Sequence, residues 1–268
     1  MFDIVGVVAD AFRLAFRNFF KIAGYLFAAA FLIGLTVLGL AGTVDPMGMM
    51  LAMQGIGLLP IIFVYVVMFC AQMACLSVVA EDATGNPVGF GEGLTRGIAA
   101  SPMAFIVSLI MGIVFSIVVF IPMMATGGLA MSAGDINSFS GITIIGLVVS
   151  MILATTLACI FAPLLSVLVV ERAGFVSIKR AMDLTSGHRI RIFLSLVIFV
   201  FALIVVTVAW QFFISIIGAM IMSGGSAGAM IGVAIFLGIL SFCFGIFTSS
   251  VGLGLNGAIY AQLVEIED

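Results

Sequence analysis

Stretches free of Asp, Glu, Lys and Arg recur along this chain, and within them apolar side chains fall on every face of a helix rather than on one stripe. They lie near 22–41, 56–79, 103–126, 141–170, 192–222 and 229–264. A bilayer core about 30 Å thick takes roughly 20 apolar residues of helix, so each stretch is long enough to cross one. The last three exceed a single crossing and must tilt, kink or project beyond the hydrocarbon. A membrane barrel would instead show short segments of alternating polarity, which this chain lacks. The pattern predicts an all-α, polytopic transmembrane bundle of about six spans.

The segments between the spans are amphipathic. Asp3, Asp10, Arg13, Arg17 and Lys21 recur at steps of three or four residues or their sum, opposite Val5, Val8, Phe12, Phe16 and Phe19. That is the pattern of a helix lying in the membrane interface before the first span. Around 89–101, Glu92 and Arg96 stand at i,i+4 ahead of Pro102. Around 175–191, Phe175, Ile178 and Met182 oppose Lys179, Arg180 and Asp183, and Gly187 permits a break before Arg189 and Arg191.

Three stretches leave the membrane alike, at 71–85, 162–174 and 256–268, through the acidic residues Glu81, Glu171 and Glu265. Together these features suggest a threefold repeat of an interfacial helix and a hairpin, with units near 1–86, 87–174 and 175–268. The units would form a single integral membrane domain, because one hairpin cannot shield its own small and polar face. A generic series of membrane hairpins would place its charges similarly, so that reading stays open.

Composition sharpens the picture. The chain is 64% hydrophobic and 8% charged, against roughly 45–50% and 25% in soluble domains. A net charge of −3 gives no reason to expect nucleic acid as a partner. The nine basic residues are Arg13, Arg17, Lys21, Arg96, Arg172, Lys179, Arg180, Arg189 and Arg191. Counting spans between them places all on one side of the membrane, and the positive-inside rule makes that side cytoplasmic. Both termini are then expected in the cytoplasm. The opposite loops, near 42–55, 127–140 and 223–228, carry only Asp45 and Asp135. A cleaved signal peptide is the competing reading of the N-terminus. Its apolar stretch is longer than the usual 7–15 residues, and Asp3 and Asp10 precede the basic residues.

Chemistry within the spans is sparse. Cys70, Cys75, Cys159 and Cys243 fall there without metal-ligand spacing and read as packing residues. No cofactor is expected. No charged group or histidine lies in the predicted hydrocarbon, which argues against an ion-coupled transporter. Gln72, Thr155, Thr156, Thr207, Gln211 and Asn256 remain, either bonding between helices or lining a polar path. Tyr25 and Trp210 suit interfacial anchors.

His188 sits in a Ser-Gly-His-Arg turn beside the membrane, as a structural or headgroup-facing group. Gly252, Gly254 and Gly257 spell a dinucleotide-binding fingerprint, but without the strand and βαβ unit it needs. There they more plainly serve close helix packing, with Ser249 and Ser250. Pro163 should kink the fourth span.

Residues 162–193, APLLSVLVVERAGFVSIKRAMDLTSGHRIRIF, resemble the glycerophosphoryl diester phosphodiesterase membrane-domain family. The likeness rests on Pro163, on Glu171 at the membrane exit, on Lys179 and Arg180, and on the turn through Leu184, Thr185, Gly187, His188, Arg189 and Arg191. Phe12, Arg13, Asn18 and Phe19 near the start, and the Tyr260 to Glu265 exit, are also similar to the family. The resemblance implies a membrane module serving lipid or envelope processes. Some members carry a fused soluble phosphodiesterase domain, whose activity is not expected here because its acidic and histidine cluster is missing.

The leading expectation is a non-enzymatic, multi-pass protein of the bacterial inner membrane, an accessory or scaffold for such processes. Its partners would be membrane lipids, anionic ones in particular, and a membrane or cytoplasmic protein. Arg13, Arg17, Lys21, Lys179, Arg180, His188, Arg189 and Arg191 are the candidate headgroup contacts. The alternatives are a permease or channel for a neutral or amphiphilic solute, lined by Gln72, Gln211 and Asn256, and an intramembrane enzyme.

Overall fold

The computed structural model describes residues 2–43, 58–133, 136–222 and 227–267. Asp45 and Asp135, expected in the opposite loops, lie outside the described residues. Helices run in the order α1 (Ile4–Thr43), α2 (Leu58–Ala83), α3 (Phe90–Ala133), α4 (Ile136–Phe161), α5 (Leu164–Glu171), α6 (Val176–Leu184), α7 (Arg189–Met222) and α8 (Ala227–Glu267). No strand occurs among the described residues. Six helical segments are long and apolar enough to cross a membrane, the fourth made of α4 and α5 together. The protein is thus an all-α, multi-pass membrane bundle, as its uncharged runs predict.

The amphipathic segments divide into two kinds. The first and second run on into their spans without a break, as α1 of 40 residues and α3 of 44. Nothing between Ile4 and Thr43 breaks a helix, since that stretch holds no proline. Pro102 lies inside α3 instead of opening a span. Its ring deprives the Ile98 carbonyl of its usual donor, a loss the long helix absorbs. Only the third segment stands apart, as α6. Gly187, at φ +82°, separates it from α7 in the left-handed conformation that glycine adopts freely. Pro163 parts α4 from α5 where the kink was expected. Arg172 then ends α5 with φ 53°.

α1 packs against α2, α7 and α8, while α2 also touches α3, α5 and α8. α3 lies on α4, and α4 and α8 reach α7. Small residues let these helices approach where lipid supplies no hydrophobic drive between them. A Cβ at Gly97 of α3 would collide with the Ala74 backbone of α2, and one at Gly254 of α8 with the Ala11 carbonyl of α1.

The core gathers at the charged end of the bundle. Val7, Ile22, Leu76, Val79, Val107, Leu168, Ile192 and Ile259 are fully enclosed there. Further along, side chains face outward: Phe31 is 60% exposed and Phe201 68%. On α7, Ile192, Ser195 and Phe199 are the buried residues, among those whose side chains are described. Acyl chains must cover the rest.

Candidate functional site

At the charged end, cationic side chains near the start of three spans meet carboxylates at the ends of others. The Arg17 guanidinium lies 2.9 Å from Asp82, which Asn18 Nδ2 also reaches as a donor at 2.8 Å. Arg96 pairs with both Glu81 and Glu92. Arg180 donates to Glu267 at 2.6 Å and lies 3.4 Å from Glu171. The hydrogen bond to Glu267, with the negative charge of both carboxylates, raises the Arg180 pKa above its ordinary value. Tyr260 donates its hydroxyl to Glu171 at 3.1 Å, and Lys21 donates to the Val88 carbonyl at 2.8 Å.

These bonds tie the exits of α2, α5 and α8 to α1, α3 and α6. Asp82 and Asn18 were absent from the sequence-derived site, although the adjacent acids Glu81 and Asp82 at a span exit were the available signal.

Five basic residues stay outside this network. Among the described residues, none forms an ion pair with Arg13, Arg172, Lys179, Arg189 or Arg191. Arg13 and Arg17 line a small cavity of about 260 Å³ with Asp10, Asp82, Gln262 and Glu265, a setting of mixed charge. Arg189 stands at one end of a different groove, of about 350 Å³ between α4 and α7, whose other walls include Met151, Ile152, Ile190 and Phe193. His188 stacks on Phe2 with ring centroids 6.3 Å apart, and its buried Nδ1 finds no hydrogen-bond partner in the protein. The candidate headgroup contacts therefore split into braced cations and free ones.

The neutral polar residues divide too. Gln72 and Asn256 line one slot of about 760 Å³ between α1, α2 and α8, together with Ser241 and Ser249. Gln211 is exposed on α7 and does not join them. Thr155 and Thr156 bond back to carbonyls of their own helix, at Met151 and Ile152. Among the described residues, none of the six makes a hydrogen bond to another helix.

Tyr25 also departs from its expected role as an interfacial anchor. It is 2% exposed, donates its hydroxyl to the Phe90 carbonyl at 2.5 Å and stacks on the Phe90 ring. α3 folds over it, so the ring is enclosed rather than bathed in headgroups. Trp210 stacks on Phe244 at 4.5 Å. Cys75 and Cys159 are buried, Cys70 is half-buried and Cys243 is exposed. Comparison with known protein families, with curated proteins and with solved structures finds no match for this chain.

Proposed function

We propose that this protein is a non-enzymatic accessory module of the bacterial inner membrane that holds anionic lipid headgroups at its cytoplasmic rim for a lipid- or envelope-related partner. One observation carries the reading. The unpaired cation Arg189 stands at one end of an otherwise mostly apolar groove between α4 and α7, so a phosphate and an acyl chain would each find a chemically matched surface. A guanidinium suits phosphate because its planar fork can donate two parallel hydrogen bonds. Each Lys or Arg near an anionic membrane surface adds about 1 kcal/mol of attraction. Arg172, Lys179 and Arg191 are also left unpaired by the ion-pair network, close to this helix junction in the chain. The resemblance of residues 162–193 to the glycerophosphoryl diester phosphodiesterase membrane domain supports the same reading, since that stretch supplies α5, α6 and the start of α7.

The test is lipid selectivity in nanodiscs. Purified protein should retain phosphatidylglycerol over phosphatidylcholine, with the preference weakened by salt and by the pair Arg189→Ala and Arg191→Ala. Equal retention of both lipids, or a preference indifferent to both changes, would refute the proposal.

A further inference from the structure

The slot between α1, α2 and α8 asks for a different occupant. The three helices touch closely where Gly254 meets Ala11 and Gly257 meets Val79 and Ala80. Beside these contacts a space of about 760 Å³ opens among them, lined along α8 from Ser241 to Asn256. That length is about 23 Å at 1.5 Å per residue, most of one hydrocarbon core.

Gln72 and Asn256 both border the space, and among the described residues neither makes a hydrogen bond. A carboxamide carries two N–H donors and an oxygen with two acceptor sites. Facing bare acyl chains, such groups lose water and gain nothing, so hydrocarbon alone is a poor filling. No ionisable side chain lines the slot, and apart from the two amides and two serines its lining is apolar or glycine.

We infer that this slot binds a neutral lipid of the diacylglycerol class, its hydroxyl and ester oxygens bonded to Gln72 and Asn256 and its chains lying along α8 toward Ser241. Asn256 lies one residue from Gly257, which packs on Ala80 close to the acidic exit of α2, so the polar end of the slot begins just beneath the charged rim. A small uncharged headgroup settles at that depth, whereas a phosphate would have no cation inside the slot to meet it. The site is separate from the α4/α7 groove and does not rest on the reading given for Arg189.

Photoactivatable diacylglycerol in phosphatidylcholine nanodiscs, followed by peptide mapping, tests it. Adducts should fall on α2 and α8 around the slot and be competed by plain diacylglycerol but not by phosphatidylglycerol. The double change Gln72→Leu and Asn256→Leu should cut labelling about tenfold, as expected for the loss of two hydrogen bonds. Gly245→Leu should cut it similarly by filling the space. A Cβ there meets no atom within 4 Å, so this variant should fold even if the double variant does not. Gln211→Leu and Arg189→Ala should leave labelling unchanged.

Adducts scattered evenly over the outer helices would overturn the inference. Labelling unmoved by Gly245→Leu would do the same, as would crosslinks joining two copies through the slot. So would a cysteine at Gln72 that reacts with water-soluble reagent at one rate whether or not diacylglycerol is present. Phosphatidylglycerol selectivity through Arg189 can survive any of these results, and can fail while diacylglycerol labelling holds.

Discussion

Asp82 is 5% exposed; one carboxylate oxygen accepts a hydrogen bond from Asn18, and the other forms an ion pair with Arg17 at 2.9 Å without hydrogen-bond geometry. Replacing it by alanine leaves Asn18 Nδ2 with only the Leu14 carbonyl and removes a charge-assisted bond together with the partner of Arg17, so Asp82→Ala is expected to cost about 2 kcal/mol. Arg17→Ala should cost less, because the Arg17 side chain is 56% exposed and water screens its half of the pair. Unfolding of both variants in mixed micelles checks the order, and an Arg17 loss exceeding the Asp82 loss would contradict it. Tyr25→Phe keeps the stack on Phe90 and removes only the hydroxyl bond. About 1 kcal/mol should be lost, against a larger loss for Tyr25→Ala in the same assay.

Neither residue was legible in its true role. Two adjacent acids leaving a span are plain in the sequence, but not that both turn inward, Glu81 to Arg96 and Asp82 to Arg17 and Asn18, because that depends on how neighbouring helices set the rotation of α2. Tyr25 looked like an anchor only because α3, which covers it, comes 65 residues later. Phe16 and Val8 share the apolar face of the first amphipathic pattern, yet Val8 is buried while Phe16 is 66% exposed.

At the scale of elements, close packing is the testable property. Gly97→Leu or Gly254→Leu must push helix backbones apart, and about 1–3 kcal/mol of destabilisation is expected for each. Gly252→Ala, where an added Cβ meets nothing within 4 Å, should change the melting temperature little. A Gly252 effect as large as that of Gly254 would mean the helices are arranged otherwise.

The apolar context of the α8 glycine run marks close packing, which holds at Gly254 and Gly257 but not at Gly252, where no atom comes near. The breaks at Pro163 and Gly187 were legible because each has a local backbone cause. The continuity of α1 and α3 was not, since charge spacing marks an amphipathic face without saying whether the helix bends at its end. Likewise Gln72 and Asn256 border one slot only through the packing of α2 on α8, which spacing along the chain does not encode. Gln211 carries the same chemistry and lands elsewhere.

The whole molecule has two unlike ends. One is closed by ion pairs and holds the core; at the other the helices expose large apolar side chains that only lipid suits. This polarity follows from where the nine basic residues fall in the chain, and from uncharged runs long enough to return each basic segment to the same boundary. The rim proposal adds that this charged end faces the cytoplasm; the slot proposal needs only the charged end itself.

Single cysteines at Arg13, Arg96 and Arg180, in a chain whose four native cysteines are replaced, measure this most directly. In intact right-side-out vesicles all three should stay unlabelled by an impermeant maleimide, and all three should react in inverted vesicles. Labelling of any one of them from the face opposite to the other two would contradict the account.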